Sequence, residues 1–354
     1  MASDSYLKRN WKLILNLVTL AALVLLVFLL RHQLVDTIGN LTKVNGWALL
    51  LLIPVEALNY HAQTKQYQRL FSIIGNELPY KSLYKASLEL NFVNHVFPSG
   101  GVTGISYFGL RFRGQEKISG GKATLVQVTK LALTFLSFEL LILFGLVALA
   151  VMGRVNNLTV LVAGSLSTLL LVGTAGFAYI VGSQTRINNF FTAVTKGLNR
   201  IIQLVRPSHP ETINVERARG VFSDFHDNYR LLQQSRDRLK APFWWAFVAN
   251  ITEVAAVYVV YIAFGHFVNV GAVILAYAVA NFAGLISVLP GGVGVYEFLM
   301  TAVMASAGVS AGVSLPVTVM YRVVNTVIQI PPGYVLYHLY LRGGGASVET
   351  ITDG

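Results

Sequence analysis

The chain has 354 residues, 54% hydrophobic and only 12% charged, with a formal net charge of +11 and a mean hydropathy of +0.59. A soluble domain carries about 25% charged residues, so this composition excludes an ordinary globular enzyme and selects an all-α, polytopic membrane protein. The basic residues cluster at the ends of apolar segments, which marks topology and contact with anionic lipid headgroups rather than nucleic-acid binding, and the absence of cysteine excludes disulfide and thiolate chemistry.

A membrane span needs about 20 apolar residues. Lys8, Arg9 and Lys12 precede an apolar run over 13–30 that Arg31-His32 closes. The run is long for a signal peptide and no small-residue cleavage site follows it, so a retained first span is expected. A second, shorter span is expected over 47–61, marked by Pro54 and Glu56, before a basic stretch with Lys65, Arg69, Lys81 and Lys85. The apolar segment 86–110 is broken at Pro98-Ser99-Gly100-Gly101, and Arg111, Arg113, Lys117 and Lys122 follow. Spans over 123–152 and 158–181 come next, then a polar segment 182–241, a span over 242–264, a second broken segment over 270–307 with Pro290-Gly291-Gly292, and a last span over 315–341 closed by Arg342.

The two breaks follow matching dipeptides, Asn91-Phe92 and Asn281-Phe282. Non-helical backbone at membrane depth needs protein or a watery cavity to satisfy its polar groups. Paired breaks in corresponding halves point to a transporter-type binding site. With the N-terminus placed inside, the positive-inside rule puts Lys65 to Lys85, Arg111 to Lys122, the ten Lys/Arg of 182–241 and Arg342 on the cytoplasmic side. Both termini are then cytoplasmic in a cell membrane. The first hairpin opens inward and the second outward, giving inverted repeats over about 47–152 and 242–341 within a single integral membrane domain, 1–354. Six spans with two re-entrant hairpins and ten full spans place these loops equally well. Arms of about 12 to 14 residues in the first hairpin favour re-entry.

Within 182–241, Ile187, Phe190, Val194, Leu198, Ile201 and Val205 recur at helical spacing, as do Val221, Phe225, Tyr229 and Leu232, with Pro207-Ser208-His209-Pro210 between them. An amphipathic helical hairpin is expected there, lying on anionic lipid or covering the cytoplasmic ends of the spans.

At each break, glycine permits close backbone approach and proline suits the first turn of the next helix. The unpaired amides of such a helix start favour an anion, and a lipid phosphate is the candidate in this setting. Packing of glycine between membrane helices is the competing explanation. Glu297 stands in a first turn, where it complements the helix dipole or serves as a proton or cation site. Arg322, Asn325 and Gln329 share one helix face, as do Gln127, Lys130 and Thr134, with Glu139 further along. Glu56, Glu89 and Glu253 are further acids in apolar runs, and intramembrane ionisable residues are functional candidates by default. The candidate headgroup or translocation residues are Pro98, Gly100, Gly101, Arg111, Lys130, Pro290, Gly291, Gly292, Glu297, Arg322 and Asn325. His95 has no second ligand at metal spacing, so neither a metal nor a cofactor is expected. No nucleotide loop of the G-x-x-x-x-G-K-[ST] type occurs, so this chain is not expected to drive transport with its own ATPase.

The stretch Pro98-Ser99-Gly100-Gly101 with Arg111, the stretch Leu289-Pro290-Gly291-Gly292-Val293-Gly294-Val295-Tyr296-Glu297, and the pair Tyr321-Arg322 resemble the flippase-like integral membrane family, that of the transmembrane region of lysylphosphatidylglycerol synthases. The resemblance covers nearly the whole chain. It implies a bacterial or archaeal membrane protein that moves or handles a lipid. In the fused synthases a soluble domain aminoacylates phosphatidylglycerol and the membrane region translocates the product. Such a domain is absent between 1 and 354, so lysyltransferase activity is not expected of this sequence. Two other readings stay open: a membrane enzyme using Glu89, Glu139 and Glu297 on a lipid-linked substrate, and an assembly partner for a soluble transferase docking on 182–241.

Overall fold

The computed structural model describes residues 44–96, 102–153, 157–190, 231–286 and 292–342, with isolated positions between 21 and 40 and at 155, 192–193 and 228–229. Every regular element among them is helical. They are α1 (Gly46–Leu50), α2 (Leu52–Ile73), α3 (Tyr80–Val96), α4 (Val102–Glu116), α5 (Gly120–Val151), α6 (Asn157–Val181), α7 (Lys240–Ala263), α8 (Val270–Ile286), α9 (Val295–Ser306) and α10 (Ala311–Arg342). The chain is an all-α, polytopic membrane protein. Among the described residues, four helices are long and apolar enough to cross a bilayer, over Gly120–Val151, Thr159–Val181, Arg236–Ala263 and Ala311–Arg342. The expected first span, 13–30, lies almost wholly outside the described residues.

Helix starts follow local chemistry. The side chain of Asn45 accepts from the amide of Trp47 at 3.1 Å and caps α1, and Ser119 caps α5 through the amide of Lys122 at 3.3 Å. Such caps satisfy amides that have no partner within the helix.

The second element differs from expectation. The helix does not stop near His61 but runs to Ile73. Its later half looks polar in sequence, yet Thr64, Gln66, Tyr67, Leu70 and Phe71 are buried. Tyr67 and Phe71 stack on Phe108, and Phe108 packs on Phe112, so α4 seals this end. A hydropathy window misses such a helix because neighbouring helices, rather than lipid, surround its polar face. The arms around the first break are also longer than expected, 17 residues in α3 and 15 in α4. Both remain short of the roughly 20 residues a full crossing needs, as do the 17 and 12 residues of α8 and α9.

The packing repeats. Helices α2 and α7 form the largest contact, α3 packs on α10, and α8 packs on α5. Within each half, α3 meets α4 and α4 meets α5, while α8 meets α9 and α9 meets α10. Lengths agree as well: α3 and α8 have 17 residues each, and α5 and α10 have 32 each. Phe92 of α3 packs on Tyr334 and Tyr337 of α10, and Phe282 of α8 packs on Phe135 of α5.

Glycine closes both crossings. A Cβ at Gly333 would stand 2.5 Å from the carbonyl oxygen of Leu88, and one at Gly271 would stand 2.2 Å from that of Gly145. Small residues let membrane helices approach this closely. Leu143, Phe144, Val147, Leu161, Leu169 and Val172 of α5 and α6 are exposed on the outside, where a lipid surface accepts them. In the segment 182–241, Ile187 and Leu232 are buried in one cluster with Val181, Phe112 and Ala246. Residues 194–227 lie outside the described residues, and with them most of the expected amphipathic hairpin.

Candidate functional site: a buried polar seam between two helix pairs

One face of α10 carries Tyr321, Asn325 and Gln329, four residues apart and therefore stacked along the helix. They link two glutamates on different helices. Gln329 Nε2 donates to Glu56 Oε2 of α2 at 2.8 Å and to Asn325 Oδ1 at 3.0 Å. Asn325 Nδ2 lies 3.4 Å from the Tyr321 hydroxyl, which donates to Glu253 Oε2 of α7 at 3.1 Å. Asn91 of α3 joins this chain by donating to Gln329 Oε1 at 2.7 Å and to the Tyr60 hydroxyl.

A second strand of bonds starts from Lys130 on α5. Its Nζ donates to Gln63 Oε1 at 2.9 Å, Gln63 donates to Asn59 Oδ1 at 2.6 Å, and Asn59 donates to Thr252 Oγ1 and to the carbonyl of Ala249 at 2.9 Å each. Asn59 and Tyr277 also neighbour Glu253. Two hydrogen-bonded strands therefore lie side by side around Glu253: one joins α2, α3, α7 and α10, the other joins α5, α2 and α7, and Tyr277 of α8 stands beside them. Several members are only half-buried although helices enclose them, among them Gln63, Asn91, Lys130, Glu253 and Arg322. They keep surface that a water-sized molecule reaches. In the low-polarity interior of a membrane protein, such groups persist only when paired or hydrated.

Two ion pairs flank the seam. Arg111 Nε of α4 meets Glu89 Oε2 of α3 at 2.8 Å, and Tyr107 donates to the same oxygen at 2.8 Å. The Arg111 guanidinium also lies 5.0 Å from the Tyr340 ring centroid. In the other half, Arg322 of α10 pairs with Glu297 of α9. The second carboxylate oxygen of Glu297 accepts from the Gly294 amide at 2.7 Å, where Gly294 has φ +87°. Glu297 thus caps α9 and holds Arg322 with one carboxylate, combining the helix-dipole role with an ionic one. Arg322 lies 5.0 Å from the Tyr296 ring centroid.

The structure places the sequence candidates unequally. Lys130, Arg322 and Asn325 are in or beside the seam, and Glu297 is tied to Arg322. Arg111 is buried against Glu89 in an aromatic corner. Gly292 opens the turn before α9 with φ +65°. Pro98, Gly100, Gly101, Pro290 and Gly291 lie outside the described residues. Glu89, Glu139 and Glu297 stand on three separate helices, and the first and last are each bound to their own arginine. Sequence reading passed over Asn59, Tyr60, Gln63, Asn91 and Tyr277. The positions 56, 59, 60, 63 and 67 follow helical spacing, so a polar face continuing past His61 was a readable signal.

The profile of the lysylphosphatidylglycerol synthase transmembrane region matches residues 13–333. The chain belongs to that family. It is also similar to a UPF0104 membrane protein of Methanothermobacter thermautotrophicus, 28% identical over 109 residues, covering 31% of this chain and 32% of that protein. A UPF0104 membrane protein of Pyrococcus horikoshii is 24% identical over 131 residues, covering 36% of this chain and 39% of that protein. The matched stretch spans about a third of the length of each of these relatives. The family is a lipid-related membrane family.

Proposed function

We propose that this chain is a lipid translocator that moves the headgroup of an anionic phospholipid through the polar seam while the acyl tails stay in the bilayer. The single observation that carries the reading is the seam itself: six helices converge on polar groups, buried or half-buried, that are hydrogen-bonded in two strands side by side around Glu253. A polar seam that runs from α2 to α10 and from α5 to α7 suits a pathway for a headgroup.

In this reading residues 47–152 and 242–341 are inverted repeats, supported by the matching helix lengths and the reciprocal packing of α3 on α10 and α8 on α5. The helix pairs α3–α4 and α8–α9 are re-entrant, supported by their short lengths. Arg322 is the principal phosphate contact, because guanidinium recognises phosphate with two parallel bonds and a phosphate can displace one oxygen of Glu297. The halves rock against one another to expose the seam alternately to each leaflet. Both termini face the cytoplasm of a cell membrane. Residues 182–190 and 231–241 cover the cytoplasmic ends of the helices, supported by burial of Ile187 and Leu232 against them, and the segment 182–241 receives a soluble transferase.

The test is translocation of fluorescent anionic phospholipids in proteoliposomes. The double variant Glu297→Gln, Arg322→Ala is expected to lower the rate at least tenfold, about 1.4 kcal/mol in barrier. An unchanged rate overturns the reading.

A further inference from the structure

We propose that Glu56 and Glu253 form a binding site for one monovalent cation, a proton or Na+, at the junction of α2, α7 and α10. Charge bookkeeping is the starting point. Among the described residues, the pairs Glu89–Arg111 and Glu297–Arg322 are each neutral. The seam between them holds two carboxylates, Glu56 and Glu253, and one ammonium, Lys130, whose charge acts on Glu253. One negative charge is left over. Two carboxylates that share a low-polarity site do not both stay ionised without a compensating positive charge.

Geometry gives the site its ligands. Glu56 is almost fully buried, and only its Oε2 is occupied, by Gln329; Oε1 has no hydrogen-bond partner. The Tyr296 hydroxyl of α9, also buried, has no hydrogen-bond partner and interacts electrostatically with Glu253. Glu56 thus offers one unused carboxylate oxygen, and the ladder Gln329–Asn325–Tyr321 links its carboxylate to that of Glu253. A buried polar atom without a partner costs about 1–3 kcal/mol, and a bound cation removes that cost at Glu56 Oε1.

The groups facing the pair come from every side. They are Tyr60 on α2, Lys130 on α5, Tyr277 on α8, Tyr296 on α9 and Tyr321 on α10. His95 on α3 faces Arg322 instead. Among the described residues, Lys130 is the cation that faces Glu253. Glu139 of α5 has its own unpartnered oxygen but no bond to this network. The site stands independently of lipid movement; its use as the coupling ion of transport rests on the reading proposed above.

The experiment uses the purified full chain in detergent, without lipid substrate, so its outcome is separate from translocation. Infrared difference spectra in H2O and D2O read protonated carboxyl groups, and thermal unfolding is followed in NaCl and in choline chloride. A proton site predicts a deuterium-sensitive carboxylic-acid band near neutral pH that Glu56→Gln and Glu253→Gln each abolish and Glu139→Gln leaves in place. A sodium site predicts stabilisation by NaCl over choline chloride, lost in the same two variants. Should those variants fail to fold, Lys130→Met still decides: removing the compensating ammonium should roughly double the bound charge, as a larger band or a larger sodium shift. Absence of both the band and the sodium effect in the wild-type protein overturns the proposal.

Discussion

The two arginine–glutamate pairs use the same chemistry in different settings. Glu89–Arg111 is sealed, each side chain 3% exposed, with Tyr107 on the carboxylate and Tyr340 beside the guanidinium. Glu297–Arg322 is looser, at 7% and 13%, and its carboxylate has a second anchor in the Gly294 amide. A sealed pair acts as a strut, because neither partner finds water or another ion when the bond breaks. A pair with some exposure and a spare anchor can exchange one partner for a ligand. Under the proposed translocation, the first pair is the fixed reference and the second engages the headgroup.

The sharpest way to break this comparison is Arg111→Met. It strands Glu89 in a buried corner, and an uncompensated buried charge costs about 3–5 kcal/mol. Loss of folded protein, or a large fall in unfolding free energy in mixed micelles, is expected. Next comes Gly271→Val, which drives a side chain into the backbone of Gly145 and separates α8 from α5. Overpacking of this kind costs about 1–3 kcal/mol, read by the same unfolding measurement, and Gly333→Val should match it if the two crossings are equivalent. Arg322→Ala sharpens the contrast. Glu297 keeps the Gly294 amide, so the stability cost should fall below that of Arg111→Met, at about 1–3 kcal/mol, while lipid translocation is lost. The smallest effect is Asn45→Ala, a cap on the short helix α1 away from the seam, at about 1 kcal/mol, with translocation unchanged.

Much of the helical framework was legible because α5, α6, α7 and α10 are apolar over their lengths, and lipid-facing helices announce themselves by hydropathy. Asn325 and Gln329 were legible from spacing, while the break residues 97–101 and 287–291 lie outside the described residues. The extension of α2 to Ile73 was not, since Thr64, Gln66 and Tyr67 are buried against protein and carry no apolar signature. Partner choice was also invisible. Arg111 and Arg322 look alike in sequence, each following a break, and only the fold reveals that one is shut against Glu89 and the other stands beside the seam. Asn59 and Gln63 reach Thr252 and Lys130 across intervals of 193 and 67 residues, which no local pattern encodes.

The most direct test of the seam as a pathway is thiol accessibility, which the cysteine-free chain makes clean. Single variants Asn325→Cys and Val327→Cys lie on the same helix, the first in the seam and the second on an exposed apolar face. In sealed proteoliposomes, Asn325→Cys should react with a charged, membrane-impermeant reagent from either side, and Val327→Cys from neither. An Asn325→Cys thiol that stays unreactive from both sides contradicts the account.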